Sequence, residues 1–173
     1  AAMKIGQLIS MDAGDVLPPE LSQILVRLRD DAHPMPPTQL KRTLSAEWPA
    51  QWLLSFDKFD VRPIAAASIG QVHRGQLKDG RDLAIKVQYP GVAKSIDSDI
   101  ANVGILMRVS GLLPKGFELA PYLEEGRKQL HEETDYKREA TQLIQFGNLL
   151  ANKTQFVVPE LHSDWSTPNI LAM

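Results

Sequence analysis

Two apolar runs joined by a short turn constrain the fold of this 173-residue chain more than any other feature. The runs are SIGQVHRGQL and DLAIKVQY, and the KDGR turn between them contains Asp79 and Gly80, which tolerate positive φ. Side-chain types alternate along both runs, as they do in half-buried strands. The sequence therefore predicts an antiparallel hairpin, whose second strand stops at Pro90 and Gly91.

Patterns with a helical period lie on both sides of the hairpin. Apolar residues at three- and four-residue spacing predict four helices, at about residues 19–31, 36–48, 92–113 and 119–152. Thr38 is a candidate N-cap for the second helix. After the last helix, QFVVPELHSDW and NILAM have the composition of two short strands. This order of elements predicts an α+β chain with a boundary near Phe56–Asp60.

Composition and charge exclude several classes of function. Lysine plus arginine (19) nearly balances aspartate plus glutamate (21), so the net charge of −2 produces no field that recruits nucleic acid. The chain has no cysteine, which excludes disulfides, thiolate metal sites and thiol nucleophiles. The four histidines have no metal-ligand spacing, and Arg108 interrupts the longest apolar stretch. Neither a metal site nor a membrane-spanning helix is predicted.

A loop of small residues precedes the hairpin, and Lys86 lies in the second strand. A loop that covers nucleotide phosphates must bring its backbone N–H groups close to them, which requires small residues, and a lysine on the adjoining strand can then meet the phosphates. AAASIGQV, however, has one glycine where the phosphate loop of an ordinary protein kinase has three. From the pattern alone, Lys86 as an ordinary strand lysine remains an equal alternative.

Four segments together resemble the UbiB or aarF-domain atypical kinases, a family associated with ubiquinone biosynthesis. They are KIGQ, AAASIGQVH, LAIKVQYPG and EETDYKREA, and they occur in the order that the family has. The resemblance implies a protein-kinase-like small lobe, with an antiparallel sheet of about five strands and long helices, over residues 57–173. A family-specific helical extension would occupy residues 1–56.

The resemblance also implies roles for particular residues. Lys86 would pair with the helix glutamate Glu139 as the catalytic pair. Nucleotide-binding residues would be Ala65, Ala66, Ala67, Ser68, Ile69, Gly70, Gln71, Val72, Lys86 and Met173. The regulatory K-x-G-Q segment (Lys4, Gly6 and Gln7) would meet the E-x-D pair, Glu133 and Asp135.

Two of these assignments have alternatives in the residues themselves. Lys4 and Gln7 could form the polar face of a helix, and the acids of EETDYKREA could form a solvated helix face. Asp135 and Glu139 are four apart, so one helix could also present both to a single site. Glu132 or Glu133 is the alternative partner of Lys86.

For an intact parent protein, the resemblance implies an atypical kinase or ATPase that binds ATP, or another adenine nucleotide, with Mg. It would support ubiquinone or related isoprenoid-lipid metabolism, at the cytoplasmic face of a bacterial membrane or at a mitochondrial membrane. Expected partners are the nucleotide, a large lobe that supplies the catalytic aspartate and metal ligands, and lipid or ubiquinone-pathway proteins. The alternative is a non-catalytic module that senses nucleotide or serves as a scaffold.

The ends of the sequence suggest a piece of a longer protein, since it opens without an initiator methionine and stops at Met173 inside an apolar run. By itself such a piece would lack phosphoryl-transfer activity. It would also expose apolar surface around Ile85, Val87 and residues 170–173, through which it could self-associate.

Overall fold

The computed structural model describes residues 34–67, 69–111, 113 and 115–173. In these residues the helices are α1 (Pro37–Glu47), α2 (Val92–Val109), α3 (Ala120–Thr134) and α4 (Tyr136–Leu150). The strands are β1 (Phe56–Phe59), β2 (Ala65–Ala66), β3 (Gly70–Leu77), β4 (Asp82–Gln88) and β5 (Ile170–Ala172). Short 3₁₀ helices cover Trp52–Ser55 and Ser163–Trp165. Three parts of the prediction lie outside the described residues: the helix at residues 19–31, the K-x-G-Q residues Lys4, Gly6 and Gln7, and Ser68.

The five strands form one antiparallel sheet in the order β1-β3-β4-β5, and β2 pairs with the beginning of β3. Strands β3 and β4 are the predicted hairpin, paired from Gly70↔Gln88 to Gln76↔Asp82. Gly80 has a φ of 94° in the turn, a conformation that favours glycine. The predicted α+β fold with a five-stranded antiparallel sheet is confirmed.

One face of the sheet carries a cluster of buried apolar residues. Side chains of β4 meet Leu40 and Leu44 of α1 there, and all of these are almost completely buried. Aromatic rings extend the cluster with centroid separations of 4.9–5.8 Å, among them Trp48, Trp52, Phe56 and Trp165. The Trp48 indole N–H also donates to the Trp165 carbonyl at 3.1 Å. The rings therefore join α1 to the segment before β5, far apart in sequence.

The prediction of exposed apolar surface is wrong for Ile85, Val87 and residues 170–172, whereas Met173 is half-buried. Ile85, Val87, Ile170 and Ala172 are 0% exposed, and Leu171 is 1% exposed. The reason is that α1 and the aromatic rings cover one face of the central strands, while β5 pairs with the free side of β4. Self-association of the chain stays a prediction.

Several predicted elements have different bounds in the structure or are missing from it. Helix α1 begins at Pro37 with Pro36 as its N-cap, since two prolines preset the backbone, so Thr38 is inside the helix and does not cap it. The helix predicted at 119–152 is divided at Asp135, whose φ and ψ of −87° and 80° are not helical. The first of the two final strands is absent from the described residues: QFVVPELHSDW forms no strand, Val157 is 93% exposed, and the His162 N–H donates to the Ala172 carbonyl at 2.9 Å.

The chain divides into two compact units. The described residues between 91 and 132 belong to the first, and those of 34–90 and 133–173 belong to the second. In the described part of the first unit, α2 packs closely against α3, because a Cβ added at Gly104 would lie 2.7 Å from Leu123. The second unit contains the whole sheet, α1 and α4. The boundary predicted at residue 56 stays a prediction. Among the described helices, none is long and apolar enough to cross a membrane.

Gly70 is expected to be required by the hairpin because its backbone lies against β4. A Cβ at this position would run into the carbonyl group of Val87. Gly70→Ala should therefore lower the free energy of unfolding by about 1–3 kcal/mol, as overpacking does. Urea denaturation measures the change.

Gly147→Ala is the matched control, because Gly147 lies inside α4. Its added methyl group would meet only Val158, at a distance of 3.9 Å. This substitution should raise stability by about 0.5–1 kcal/mol through helix propensity. Equal effects of the two substitutions would contradict the close approach of β3 to β4.

Candidate functional site

Lys86 and Glu139 form an ion pair between the centre of β4 and the first turn of α4. The Lys86 ammonium donates to both carboxylate oxygens of Glu139, at 2.9 and 2.8 Å. The two side chains are 21% and 36% exposed, so the pair is partly shielded from water and still accessible from one side. The predicted contact is present, and Glu139, not Glu132 or Glu133, is the partner. The catalytic role of the pair stays a prediction.

Tyr136 lies beneath the same lysine. The Lys86 ammonium is 4.9 Å from the centroid of the Tyr136 ring, a distance at which the electron-rich face attracts a cation. Tyr136 is 1% exposed, and its hydroxyl has no hydrogen-bond partner among the described residues. Burial, followed by the charges of Glu139 and Glu133, raises the pKa of the Tyr136 phenol. The ring therefore stays neutral at physiological pH.

The junction between α3 and α4 sets the direction of the Glu139 side chain. Asp135 is the N-cap of α4, and its carboxylate accepts from the backbone N–H of Arg138 at 2.9 Å. Gln88 donates its side-chain amide to the Thr134 carbonyl at 2.7 Å, just before the cap. Lys86 and Gln88 are two apart on β4 and share one face of the sheet. The strand thus holds both the helix junction and the glutamate.

The alanine-rich segment forms a tight hairpin beside Lys86. Ala65 pairs with Val72 and Ala66 pairs with Gln71, while the Ala67 N–H donates to the Gly70 carbonyl at 2.8 Å. Ala65 and Ala66 are exposed.

Because Val72 pairs in turn with Lys86, the side chains of Ala65, Val72 and Lys86 lie in register on one face of three strands. Only small or apolar side chains flank the lysine in this row.

Gln71, predicted to bind nucleotide, has a fully buried side chain on the opposite face of the sheet. Its Oε1 accepts from the Met35 N–H at 2.6 Å, and its Nε2 lies 2.8 Å from His73 Nε2. His73 Nδ1 lies 2.9 Å from the Asp60 carbonyl oxygen. Since a carbonyl only accepts, His73 is protonated on Nδ1, and Nε2 accepts from Gln71. This chain of hydrogen bonds anchors the alanine hairpin from behind.

The other predicted site residues occupy varied positions. Ile69 is 2% exposed and its carbonyl accepts from the Tyr89 N–H at 2.9 Å, so its side chain faces the interior. The Met173 backbone pairs with Ala84 at both its N–H and its carbonyl, which continues the sheet beyond β5. Glu133 is half-buried near the end of α3. Asp135 caps α4. Lys4, the predicted partner of Glu133 and Asp135, lies outside the described residues, so the regulatory roles remain predictions.

The residues present fit a phosphate group better than a metal ion. Lys86 supplies a cation with an open side, and the exposed alanines leave space near it. No three acidic or histidine side chains of the described residues cluster as metal ligands. The described part of the chain therefore offers a contact for phosphate and no metal site.

Comparison with known proteins gives the family. The family described as ABC1 atypical kinase-like domain matches residues 27–173. The chain belongs to this family. The predicted resemblance to UbiB-type atypical kinases is thereby confirmed, and so is the kinase-like character of the sheet and its helices.

Several relatives match almost the entire chain. A Saccharomyces cerevisiae protein named "Atypical kinase COQ8, mitochondrial" is 45% identical over 172 residues, which are 99% of this chain and 34% of that protein. The Schizosaccharomyces pombe protein of the same name is 43% identical over 174 residues, with 100% and 28% covered. "Probable protein kinase UbiB" of Vibrio cholerae is 35% identical over 173 residues, with 98% and 32% covered. The chain thus spans about a third of the length of these relatives.

A solved structure also resembles this ABC1 chain. It is the complex of Rv3197 with erythromycin from Mycobacterium tuberculosis, with a TM-score of 0.60 and 30% sequence identity. The match covers 96% of this chain and 42% of the other.

Two residues of the site, Tyr136 and Gln88, were not predicted from the sequence. Gln88 is two residues after Lys86 and Tyr136 is three before Glu139, so strand and helix periodicity place each on the face of its predicted neighbour. Listing the residues on the Lys86 face of the strand and on the Glu139 face of the helix would have identified both. Gln88 contacts the Thr134 carbonyl and Tyr136 contacts the Lys86 ammonium. Both contacts depend on the approach of α4 to the sheet.

The hydrogen-bond chain through His73 predicts a pH-dependent stability. Burial lowers the pKa of His73 below its ordinary value of 6.5, although the Asp60 carbonyl acts in the opposite direction. The unfolded chain therefore takes up the proton more readily than the folded chain. The stabilisation is fully present above about pH 6.5 and decreases as the pH falls toward the lowered pKa.

Urea unfolding between about pH 7.5 and 5 should show this decrease in the wild type, and the decrease should be smaller in His73→Gln. The other histidines are common to both proteins, so the difference isolates His73. The same pH dependence in both would contradict the assignment of a neutral His73.

Proposed function

We propose that this chain binds the phosphates of ATP through Lys86, as the small-lobe part of an atypical kinase or ATPase. The observation that carries the proposal is the Lys86–Glu139 ion pair, with 2.8 Å between Nζ and Oε2. Glu139 accepts two of the three hydrogen bonds that the ammonium can donate. The third N–H then serves a phosphate oxygen.

The position of Glu139 favours this use of the lysine. Glu139 is in the first turn of a 15-residue helix, where the helix dipole stabilises a carboxylate. An ionised glutamate keeps the ammonium at one location and oriented before a ligand arrives. Such preorganisation lowers the entropic cost of binding a polyphosphate.

The alanine hairpin is proposed to contribute space and backbone N–H groups. Exposed Ala65 and Ala66 allow a ligand to approach the edge of the hairpin closely. The side chain of Gln71 is directed to the opposite face, so its part in nucleotide binding is proposed to be the anchoring of the hairpin. Val72 is next to Lys86 and would give an apolar surface beside the nucleotide.

The activity of the whole protein is part of the same proposal. With the large lobe, ATP and Mg, it would act as an atypical kinase or ATPase that supports ubiquinone or related isoprenoid-lipid metabolism at a bacterial or mitochondrial membrane. Membership of the ABC1 family and the names of its COQ8 and UbiB relatives support this. Mg would be held by residues beyond those described, because the described residues have no cluster of ligands.

A charge swap separates nucleotide binding from a scaffold role. In the full-length protein, Lys86→Glu should weaken ATP affinity roughly 10- to 100-fold and lower the melting temperature, because it removes a charge-assisted contact and places two acids together. Adding Glu139→Lys restores opposite charges, and this double variant should recover stability without recovering affinity. A fluorescent ATP analogue measures affinity, and thermal unfolding measures stability.

The matched control swaps Arg74 and Asp82, an exposed ion pair of the same hairpin with 3.4 Å between its atoms. That double swap should leave ATP affinity unchanged. Full ATP affinity in Lys86→Glu would contradict the proposal. A wild-type protein that binds no ATP, yet whose stability responds to the Lys86 swaps as described, would instead favour the scaffold.

A further inference from the structure

We propose that Tyr136 is a positioning residue for Lys86, and that its ring holds the ammonium against Glu139 through a cation–π contact. The inference rests on the proposed function for its nucleotide readout, but the contact itself does not. Nothing in the sequence pattern singled out this tyrosine. The proposal comes from its place in α4 and from the atoms that it presents to the lysine.

One helix supplies both partners of the lysine. Tyr136 is the first residue of α4 and Glu139 is three residues later, so the two side chains lie on neighbouring positions of one helix face. The ammonium lies 2.8 Å from the carboxylate and 4.9 Å from the ring centroid. Lys86 is therefore held by a negative charge and by the electron-rich face of an aromatic ring.

The ring is fixed more firmly than the carboxylate. Tyr136 is 1% exposed, whereas the Glu139 side chain is 36% exposed and can rotate toward solvent. Asp135 caps the helix one residue earlier, which defines the backbone position from which the ring extends. A buried ring can thus keep the ammonium in place when Glu139 moves or when a phosphate competes for the lysine.

The hydroxyl group has no part in this role. It is buried and has no hydrogen-bond partner among the described residues, so the ring face is what the lysine meets. The phenol also stays neutral, since burial and the nearby Glu139 raise its pKa. Phenylalanine at position 136 should therefore hold the Lys86 ammonium as well as tyrosine does. A ring with less electron density on its face should hold it less well.

The test compares two nearly isosteric rings at position 136 of the full-length protein, phenylalanine and 3,4,5-trifluorophenylalanine. Fluorine withdraws electron density from the ring face and leaves packing almost unchanged. We expect Tyr136→Phe to match the wild type. The trifluorinated ring should bind the ATP analogue roughly three- to tenfold more weakly.

A second measurement follows the lysine without nucleotide. Acetic anhydride labels free amines, and mass spectrometry can quantify the labelling of Lys86 relative to Lys58, whose side chain is 71% exposed. The trifluorinated ring should raise Lys86 labelling several-fold and leave Lys58 unchanged. The same trifluorinated residue at Phe59, which stacks on His73 away from the site, is the control and should change neither readout.

The outcomes are distinct. Equal labelling and equal affinity for the two rings would overturn the proposal and reduce Tyr136 to a packing residue. A loss in Tyr136→Phe as large as that of the fluorinated ring would also overturn it, because the hydroxyl would then be responsible. Increased Lys86 labelling in a protein that binds no ATP in any form would support the positioning role and contradict the proposed function.

Discussion

Strand β4 directs alternate side chains to opposite faces of the sheet, and the candidate site depends on this alternation. Ile85 and Val87 are fully buried in the apolar cluster with α1, which fixes the strand in position and in rotation. Lys86 and Gln88 must then project from the other face. A one-residue change of register would bury the lysine in the core, where an ammonium without a partner is strongly destabilising. The packing of one face thus determines the chemistry of the other.

The face that carries Lys86 is organised by a helix junction. Gln88 binds the last carbonyl of α3, Asp135 caps α4, and α4 then delivers Tyr136 and Glu139 to the lysine. Gln88 satisfies the Thr134 carbonyl, and Asp135 satisfies the Arg138 backbone N–H. The break at Asp135 is therefore part of the geometry of the ion pair, since a continuous helix would direct Glu139 differently relative to the sheet.

On the opposite face of the sheet, a buried chain of hydrogen bonds holds the alanine hairpin in place. It connects Met35, Gln71, His73 and the Asp60 carbonyl, and each nitrogen and oxygen of the two side chains has a partner. Such a fully satisfied network in a poorly solvated region specifies one arrangement, because any slip leaves a buried polar group unpaired. A hairpin with exposed alanines has few side-chain contacts of its own, so it depends on this anchor to keep its shape.

The sequence by itself determined the hairpin, the α+β class and the family, because strand alternation, the Asp79-Gly80 turn and four short motifs are local patterns. It also indicated Glu139 as the partner of Lys86, through the family motif around it. The sequence did not show that Asp135 divides the last long helix, because an aspartate with helical patterns on both sides can either cap a helix or lie on its solvated face. It could not determine that Gln71 faces away from Lys86, or that residues 170–172 are buried. Only the tertiary structure decided these, because the pairing of β5 with β4 and the approach of α4 to Lys86 join residues far apart in the chain.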